Sequence, residues 1–225
     1  VPEANAPPAL WRWLGRVPFV EAAALQERLR EGVIAGTEPE TLLLCEHDPV
    51  ITLGRSADAA NVLASADELA RRGVAVHAAS RGGDVTYHGP GQLVGYPILR
   101  LRGGVVAHVE AMARGLARLL EPMGIAAGWR RDVPGLWIDR GEPNRPAKIC
   151  AFGVHVRRRV SMHGFALNVT TALDAFSLIV PCGLSQVDVT SIAAERGGAP
   201  EVATLAPLAA AALGESFGLS FDRDD

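Results

Sequence analysis

Two residues of this chain have the chemistry of a group-transfer reaction. Cys182 lies between proline and glycine in Val180-Pro181-Cys182-Gly183-Leu184, a turn context and not an apolar strand. An accessible cysteine beside a cation is a candidate nucleophile, because the thiolate attacks and the thiol does not. The candidate cation is Lys148, the only lysine among 22 basic residues. Arginine stays protonated, whereas a partly desolvated lysine can trade protons. A free thiol with a pKa of about 8.5 is only a few per cent thiolate near neutrality. Lowering that pKa by one unit takes about 1.4 kcal/mol, the scale of one close ion pair. The same amine could then move a proton for an attacking nucleophile.

A second concentration of polar groups is residues 81–92, Arg-Gly-Gly-Asp-Val-Thr-Tyr-His-Gly-Pro-Gly-Gln. Four glycines in that stretch let backbone approach a ligand closely or take positive φ. Tyr87, His88 and Gln92 are costly groups to place in a plain turn, so the stretch reads as a binding loop between two strands. It is not a phosphate loop, which needs a helix after the glycines and a Gly-Lys-Ser/Thr ending.

The elements that must hold these residues follow from the patterning. The spacing predicts helices over 20–33, 105–123 and 204–217, and a short one opened by the capping box Ser65-Ala66-Asp67-Glu68 and closed at Gly73. On the 105–123 helix, Val105, Val109, Met112, Leu116, Leu119 and Met123 share one face. Strands are expected over 41–46, 50–53, 74–78, 93–99, 136–139, 148–157 and 163–169, with Arg157-Arg158-Arg159 turning between the last two. The arginine trio is a solvated turn or a patch for an acidic partner. Residues before 20 form a proline- and tryptophan-bearing leader with no assigned element. Strand pairs interleaved with helices, without βαβ regularity, point to an α+β fold, a mixed β-sheet with packed helices, in one domain over 1–225.

Composition closes off other functions. A net charge of −3 and a pI near 6.1 give no reason to expect nucleic acid or an anionic membrane as partner. No apolar run reaches the roughly eighteen residues of a membrane span, and Val1-Pro2-Glu3-Ala4-Asn5 lacks the signal-peptide pattern. Cys45, Cys150 and Cys182 are odd in number and far apart, without C-x-x-C, so neither a disulfide framework nor a metal site is expected. The expected setting is a reducing cytoplasm. Cys45, on an apolar strand, reads as core.

The chain resembles the lipoyl(octanoyl) transferase family. The resemblance is carried by His47-Asp48-Pro49-Val50 with Thr52-Leu53-Gly54-Arg55, by the whole 81–92 loop running to Tyr96-Pro97, by Lys148-Ile149 with Gly153-Val154, by residues 163–169, and by Pro181-Cys182-Gly183. It is strongest over residues 42–195. It implies a fold similar to the biotin and lipoate protein ligase catalytic domains. The implied reaction moves an octanoyl or lipoyl group from acyl carrier protein to a lysine of lipoyl domains, those of 2-oxoacid dehydrogenase complexes and of the glycine cleavage H protein. An acyl-thioester on Cys182, with Lys148 lowering the thiol pKa, is the implied route, with no cofactor. The implied acyl pocket is lined by Arg81, Gly82, Gly83, Asp84, Val85, Thr86, Tyr87 and His88, by Ala151, Phe152 and Gly153, and by Gly164, Phe165 and Ala166. Cys150 stands where the family more often has alanine, which puts a second thiol two residues from Lys148 and complicates any labelling experiment.

Such a pocket makes physical sense, because glycines and Ala166 leave a narrow apolar slot for a straight alkyl chain. His88, His163 and backbone N–H groups are candidates to meet the carbonyl oxygen as charge develops on it. His163 has the competing reading of a hydrogen-bonded core residue. Two rival enzymes share the expected fold: an ATP-dependent lipoate or biotin ligase, which needs no cysteine, and an octanoyl amidotransferase between lipoyl domains. A silent acyl-binding protein is the non-enzymatic alternative.

Overall fold

The structure is a computed structural model and describes residues 9–141, 146–180 and 188–224. In chain order its elements are β1 (Ala9–Val17), α1 (Phe19–Ala35), β2 (Thr41–His47), β3 (Val50–Leu53), α2 (Ala66–Arg71), β4 (Ala75–Ala78), β5 (Val85–His88) and β6 (Gln92–Ile98). There follow α3 (Val105–Leu120), β7 (Gly128–Arg130), β8 (Gly135–Ile138), β9 (Ala147–Arg157), β10 (Val160–Asn168), β11 (Asp188–Val189), α4 (Ile192–Arg196), α5 (Val202–Phe217) and β12 (Phe221–Arg223). The fold is α+β, as the patterning predicts.

The main sheet runs β12-β1-β2-β6-β10-β9-β8-β7, with β11 alongside β9. From β2 to β7 neighbours are antiparallel, whereas β1 pairs in parallel with β2 and β12. Both faces of the sheet are covered. Leu42, Leu44, Leu93, Phe165 and Leu167 pack against α3 and α5, while Leu43, Cys45, Val94, Tyr96 and Ala166 pack against α1. Two covered faces are why β2 reads Thr-Leu-Leu-Leu-Cys instead of alternating. Helices α3 and α5 touch closely at Gly115, where a Cβ would lie 3.0 Å from the Leu213 Cα. The small sheet β4-β3-β5 packs Ile51, Val85 and Tyr87 on Leu69, Val74, Leu178 and Ile179.

Several elements depart from the sequence reading. The leader contains β1, whose arginines and single glycine hide a strand that is sheltered only through Trp11 and its neighbours. The glycine loop itself contains β5, which pairs antiparallel with β3. The long helix stops at Leu120, followed by a tighter turn at Glu121–Met123. Its first residues, Val105 and Val106, are exposed. Among the described residues no helix is long and apolar enough to cross a membrane.

Candidate active site

The glycine loop folds down onto the α1-facing side of the main sheet and encloses a narrow slot. The floor is three neighbouring strands: Ala151 and Gly153 of β9, Gly164 and Ala166 of β10, and Val94 and Tyr96 of β6. The roof is Arg81, Gly82, Gly83, Asp84, Val85, Thr86 and His88. Phe19, at the start of α1, closes the β6 end. Phe152 and Phe165 complete the wall. The cavity volume is about 50 Å³. It shares Gly82, Gly83, Asp84, Phe152 and Gly153 with a neighbouring trough of about 690 Å³. The trough is walled by Val105, Val106 and Val109 of α3, by Trp129 and Pro134, and by Lys148.

Glycines make this arrangement possible by close approach. A Cβ on Gly54 would run into the carbonyl oxygen of Gly83, and one on Gly164 into the Gly95 carbonyl oxygen and the Pro97 ring. Arg81 pins the roof to β3: its Nη2 donates to the Thr52 carbonyl oxygen at 2.6 Å and to Thr52 Oγ1 at 2.9 Å. The loop is also stitched to β9 by the Gly82 N–H, which donates to the Val154 carbonyl at 3.0 Å. Asp84 accepts from the Asp58 N–H at 3.0 Å and from the Asn61 side chain.

Three histidines cluster at the slot. His88 and His163 line it, and His47 lies beside Tyr96, whose hydroxyl is 2.6 Å from His47 Nε2. Burial pushes the His88 pKa down to about 3, with neighbouring His47 adding to the shift. Burial and then the Arg81 guanidinium bring His163 to about 3 as well. Both rings are therefore neutral near pH 7. Their orientations are set by partners. His88 Nδ1 lies 2.7 Å from Gln92 Oε1, Gln92 Nε2 donates to Asn168 Oδ1 at 2.9 Å, and Asn168 Nδ2 donates to the Thr190 carbonyl at 2.9 Å. The Thr190 N–H in turn bonds the Lys148 carbonyl at 2.9 Å. A buried chain of hydrogen bonds thus joins the slot to the strand of the lysine.

Lys148 does not enter the slot. Its Nζ lies in the trough wall, 4.8 Å from the Trp137 ring centroid, and donates to the Pro134 carbonyl at 3.4 Å. It is 7% exposed, a buried amine in the wall of the trough. Cys182 lies outside the described residues. Tyr87 is the member of the implied pocket set that turns away: on β5 it faces the small-sheet core and meets Phe176 edge-on at 5.6 Å. The reason is alternation, since neighbours on a strand face opposite sides. Cys150 is fully buried, and desolvation raises its thiol pKa far above the usual range, so it does not compete for a labelling reagent in the folded protein. Cys45 is core, as expected.

Sequence reasoning missed Phe19, Val94 and Tyr96 as slot residues. Tyr96 continues the loop motif and was within reach. Phe19 carries no sequence signal, being separated from the loop by more than three elements.

The lipoyl protein ligase A/B catalytic domain profile matches residues 18–214, and the chain belongs to this family. Solved structures agree on the fold. A bipartite lipoate protein ligase from Thermoplasma acidophilum superposes with a TM-score of 0.75 at 16% identity, over 96% of this chain and 86% of that one. Lipoate-protein ligase A bound with ATP gives 0.68 at 16%, over 97% and 89%. Within the family, the sequence stands with octanoyltransferases, and the protein is an acyltransferase. The octanoyltransferase of Acidobacterium capsulatum is 47% identical over 81% of this chain and 78% of its own length. That of Koribacter versatilis is 46% identical over 92% and 82%, and that of Chloroflexus aurantiacus 43% over 92% and 93%.

Proposed function

We propose that this protein transfers an octanoyl group from acyl carrier protein to a lysine of a lipoyl domain, through a thioester on Cys182. The observation that carries the reading is the adjacent pair of cavities: an apolar slot that shares Gly82, Gly83 and Gly153 with a trough lined by the only lysine of the sequence. The slot takes the acyl tail, with its carbonyl at the mouth near Gly82, Gly83 and Gly153. Asp188 and Val189 pair with Ala147 and Lys148, so the chain that follows the cysteine segment returns beside the lysine, which supports the pairing of Lys148 with Cys182.

In the first step the Cys182 thiol gives its proton to the Lys148 amine, and the thiolate attacks the donor thioester carbonyl. A carbon–sulfur bond to Cys182 forms, the donor carbon–sulfur bond breaks, and the donor thiolate leaves with the proton. In the second step the acceptor amine attacks the new thioester, an amide forms, the Cys182 thiolate leaves, and Lys148 takes the proton that the amine sheds. Once it has taken the proton, a Lys148 ammonium in the trough wall favours thiolate in both steps. Backbone N–H groups of the glycine loop and the neutral ring of His163 stabilise the oxyanion and the bound carbonyl. Splitting the transfer lets one trough receive two bulky protein partners in turn. The expected setting is a reducing cytoplasm, in which Cys45 and Cys150 are free thiols.

The likeness in fold to an ATP-bound lipoate ligase makes the donor the point to test. The purified protein is given a lipoyl domain with either octanoyl-loaded acyl carrier protein or octanoate and ATP. Acceptor modification with the loaded carrier, in the absence of nucleotide, is the expected result. Modification only with free acid and ATP would reassign the protein as a ligase.

A further inference from the structure

His163 has an unusual backbone for a strand residue. Its φ is +60°, in the left-handed region that a side chain with a Cβ rarely occupies, and it lies within β10, not in a turn. The consequence is a reversal of facing. Its cross-strand partner on β9 is Val154, which packs toward α3 and α5, as do Phe165 and its partner Phe152. Regular alternation would send His163 to that same side. Its ring instead lies on the α1 side, where Nε2 is 2.9 Å from Ser80 Oγ and the ring centroid is 6.4 Å from that of Tyr96.

Local chemistry explains how the turn is held. Extending the Phe165–Gly95 register by two residues sets His163 opposite Pro97, which has no N–H, and Ser161 Oγ already donates to the Pro97 carbonyl at 2.6 Å. The strand ladder therefore offers His163 no regular exchange at that point. Its N–H donates to Gln26 Oε1 of α1 at 2.9 Å. Gln26 is completely buried, and a polar side chain is costly there unless it is bonded.

We infer that Gln26 is a positioning residue for acyl transfer: its side-chain oxygen replaces the missing strand partner and holds His163 turned into the slot. The inference rests on His163 acting at the bound acyl group, as proposed above. Gln26 touches no substrate and acts only through His163.

The test uses Gln26→Met, which keeps volume and removes the acceptor, Gln26→Glu, which keeps an acceptor oxygen, His163→Ala, His163→Gly and the double variant Gln26→Met/His163→Ala. His163→Ala is expected to lower kcat roughly a hundredfold. Gln26→Met is expected to lower kcat roughly tenfold to a hundredfold with KM little changed, and Gln26→Glu to restore most of it. In the His163→Ala background, Gln26→Met should add less than about a factor of two, because the two act as one unit. His163→Gly should melt about 2–4 °C higher than His163→Ala, since glycine carries no penalty at positive φ. Full activity of His163→Ala would remove the catalytic reading of that histidine. Full activity of Gln26→Met beside an impaired His163→Ala, or losses that multiply in the double variant, would remove the positioning role alone. If Gln26→Met does not fold, Gln26→Glu decides: a kcat below a tenth of the parent overturns the inference. A His163→Gly melting no higher than His163→Ala would show that the backbone is not strained there.

Discussion

Gln92 Oε1 lies 2.7 Å from His88 Nδ1, and this contact determines which nitrogen of the ring carries the proton. The Gln92 amide nitrogen is committed to Asn168 Oδ1 and to the Tyr87 carbonyl, so its oxygen faces the histidine and accepts. His88 is neutral, because burial depresses its pKa to about 3. Its proton is then on Nδ1, and Nε2, 3.5 Å from Thr52 Oγ1, presents a lone pair toward the roof of the slot. The direction of this chain is anchored by a backbone carbonyl, that of Thr190, which can only accept.

Breaking the chain should cost both stability and rate. Gln92→Leu leaves a buried imidazole N–H and the Asn168 oxygen without partners, for a loss of about 1–3 kcal/mol each way such groups are measured. It also frees the His88 tautomer, and kcat is expected to fall roughly tenfold or more. Urea unfolding and steady-state transfer on the same preparation check the two effects.

Phe19 should set acyl-chain length. Its ring closes the β6 end of the slot and stacks on His77 and His88 with centroids 6.2 and 6.5 Å away. Phe19→Ala is expected to destabilise by about 3 kcal/mol and to move the preferred donor from octanoyl toward decanoyl or dodecanoyl. Competition between loaded carriers of different chain length, read by acceptor mass, gives the shift. An unchanged profile would put the end of the slot elsewhere.

Acid should unfold the protein through its histidines. His88 and His163 titrate near 3 and His108 near 4 in the folded chain, all mainly through burial, against about 6.5 when unfolded. The unfolded state therefore binds protons below about pH 6.5 that the folded state refuses. Stability is full above that pH and falls as pH drops toward the folded values. Each such histidine removes about 1.4 kcal/mol between about pH 7.5 and about pH 5.5. His108 stacks on Phe217 at 5.0 Å, away from the slot, so His108→Gln should flatten the acid limb of a melting-temperature profile by one histidine's share while transfer at neutral pH is retained.

Gly164 tests the close approach beneath the slot. A Cβ there meets the Gly95 carbonyl oxygen and the Pro97 ring, backbone and ring atoms with no freedom to retreat. Gly164→Ala is expected to cost about 1–3 kcal/mol and to pry β10 from β6, with loss of transfer. Thermal melting distinguishes this from a purely catalytic defect.

Much of this site was legible in the sequence because its chemistry is local. Residues 81–92 carry the roof almost entire, and the Lys148 and Gly164-Phe165-Ala166 segments mark β9 and β10 by composition. What was hidden depends on long-range packing. Tyr87 looked like a pocket residue until β5 formed and alternation turned it into the small-sheet core. Phe19 and Gln26 belong to an ordinary amphipathic helix, and nothing in their neighbours' sequence tells that one plugs the slot and the other holds a strand N–H on β10. The left-handed backbone of His163 lies opposite Pro97 in the extended register, a residue 66 positions earlier in the chain. The strand β1, paired in parallel with β2 and with the short edge strand β12, was masked by its arginines and glycine, since most of its residues are only partly buried.

A thioester on Cys182 is tested by the mass of the intact protein after incubation with octanoyl-loaded acyl carrier protein and no ATP. One octanoyl adduct is expected, which hydroxylamine removes, Cys150→Ala retains, and Cys182→Ser and Lys148→Met lose. An adduct that survives hydroxylamine, or one that persists in Cys182→Ser, would contradict a thioester on Cys182.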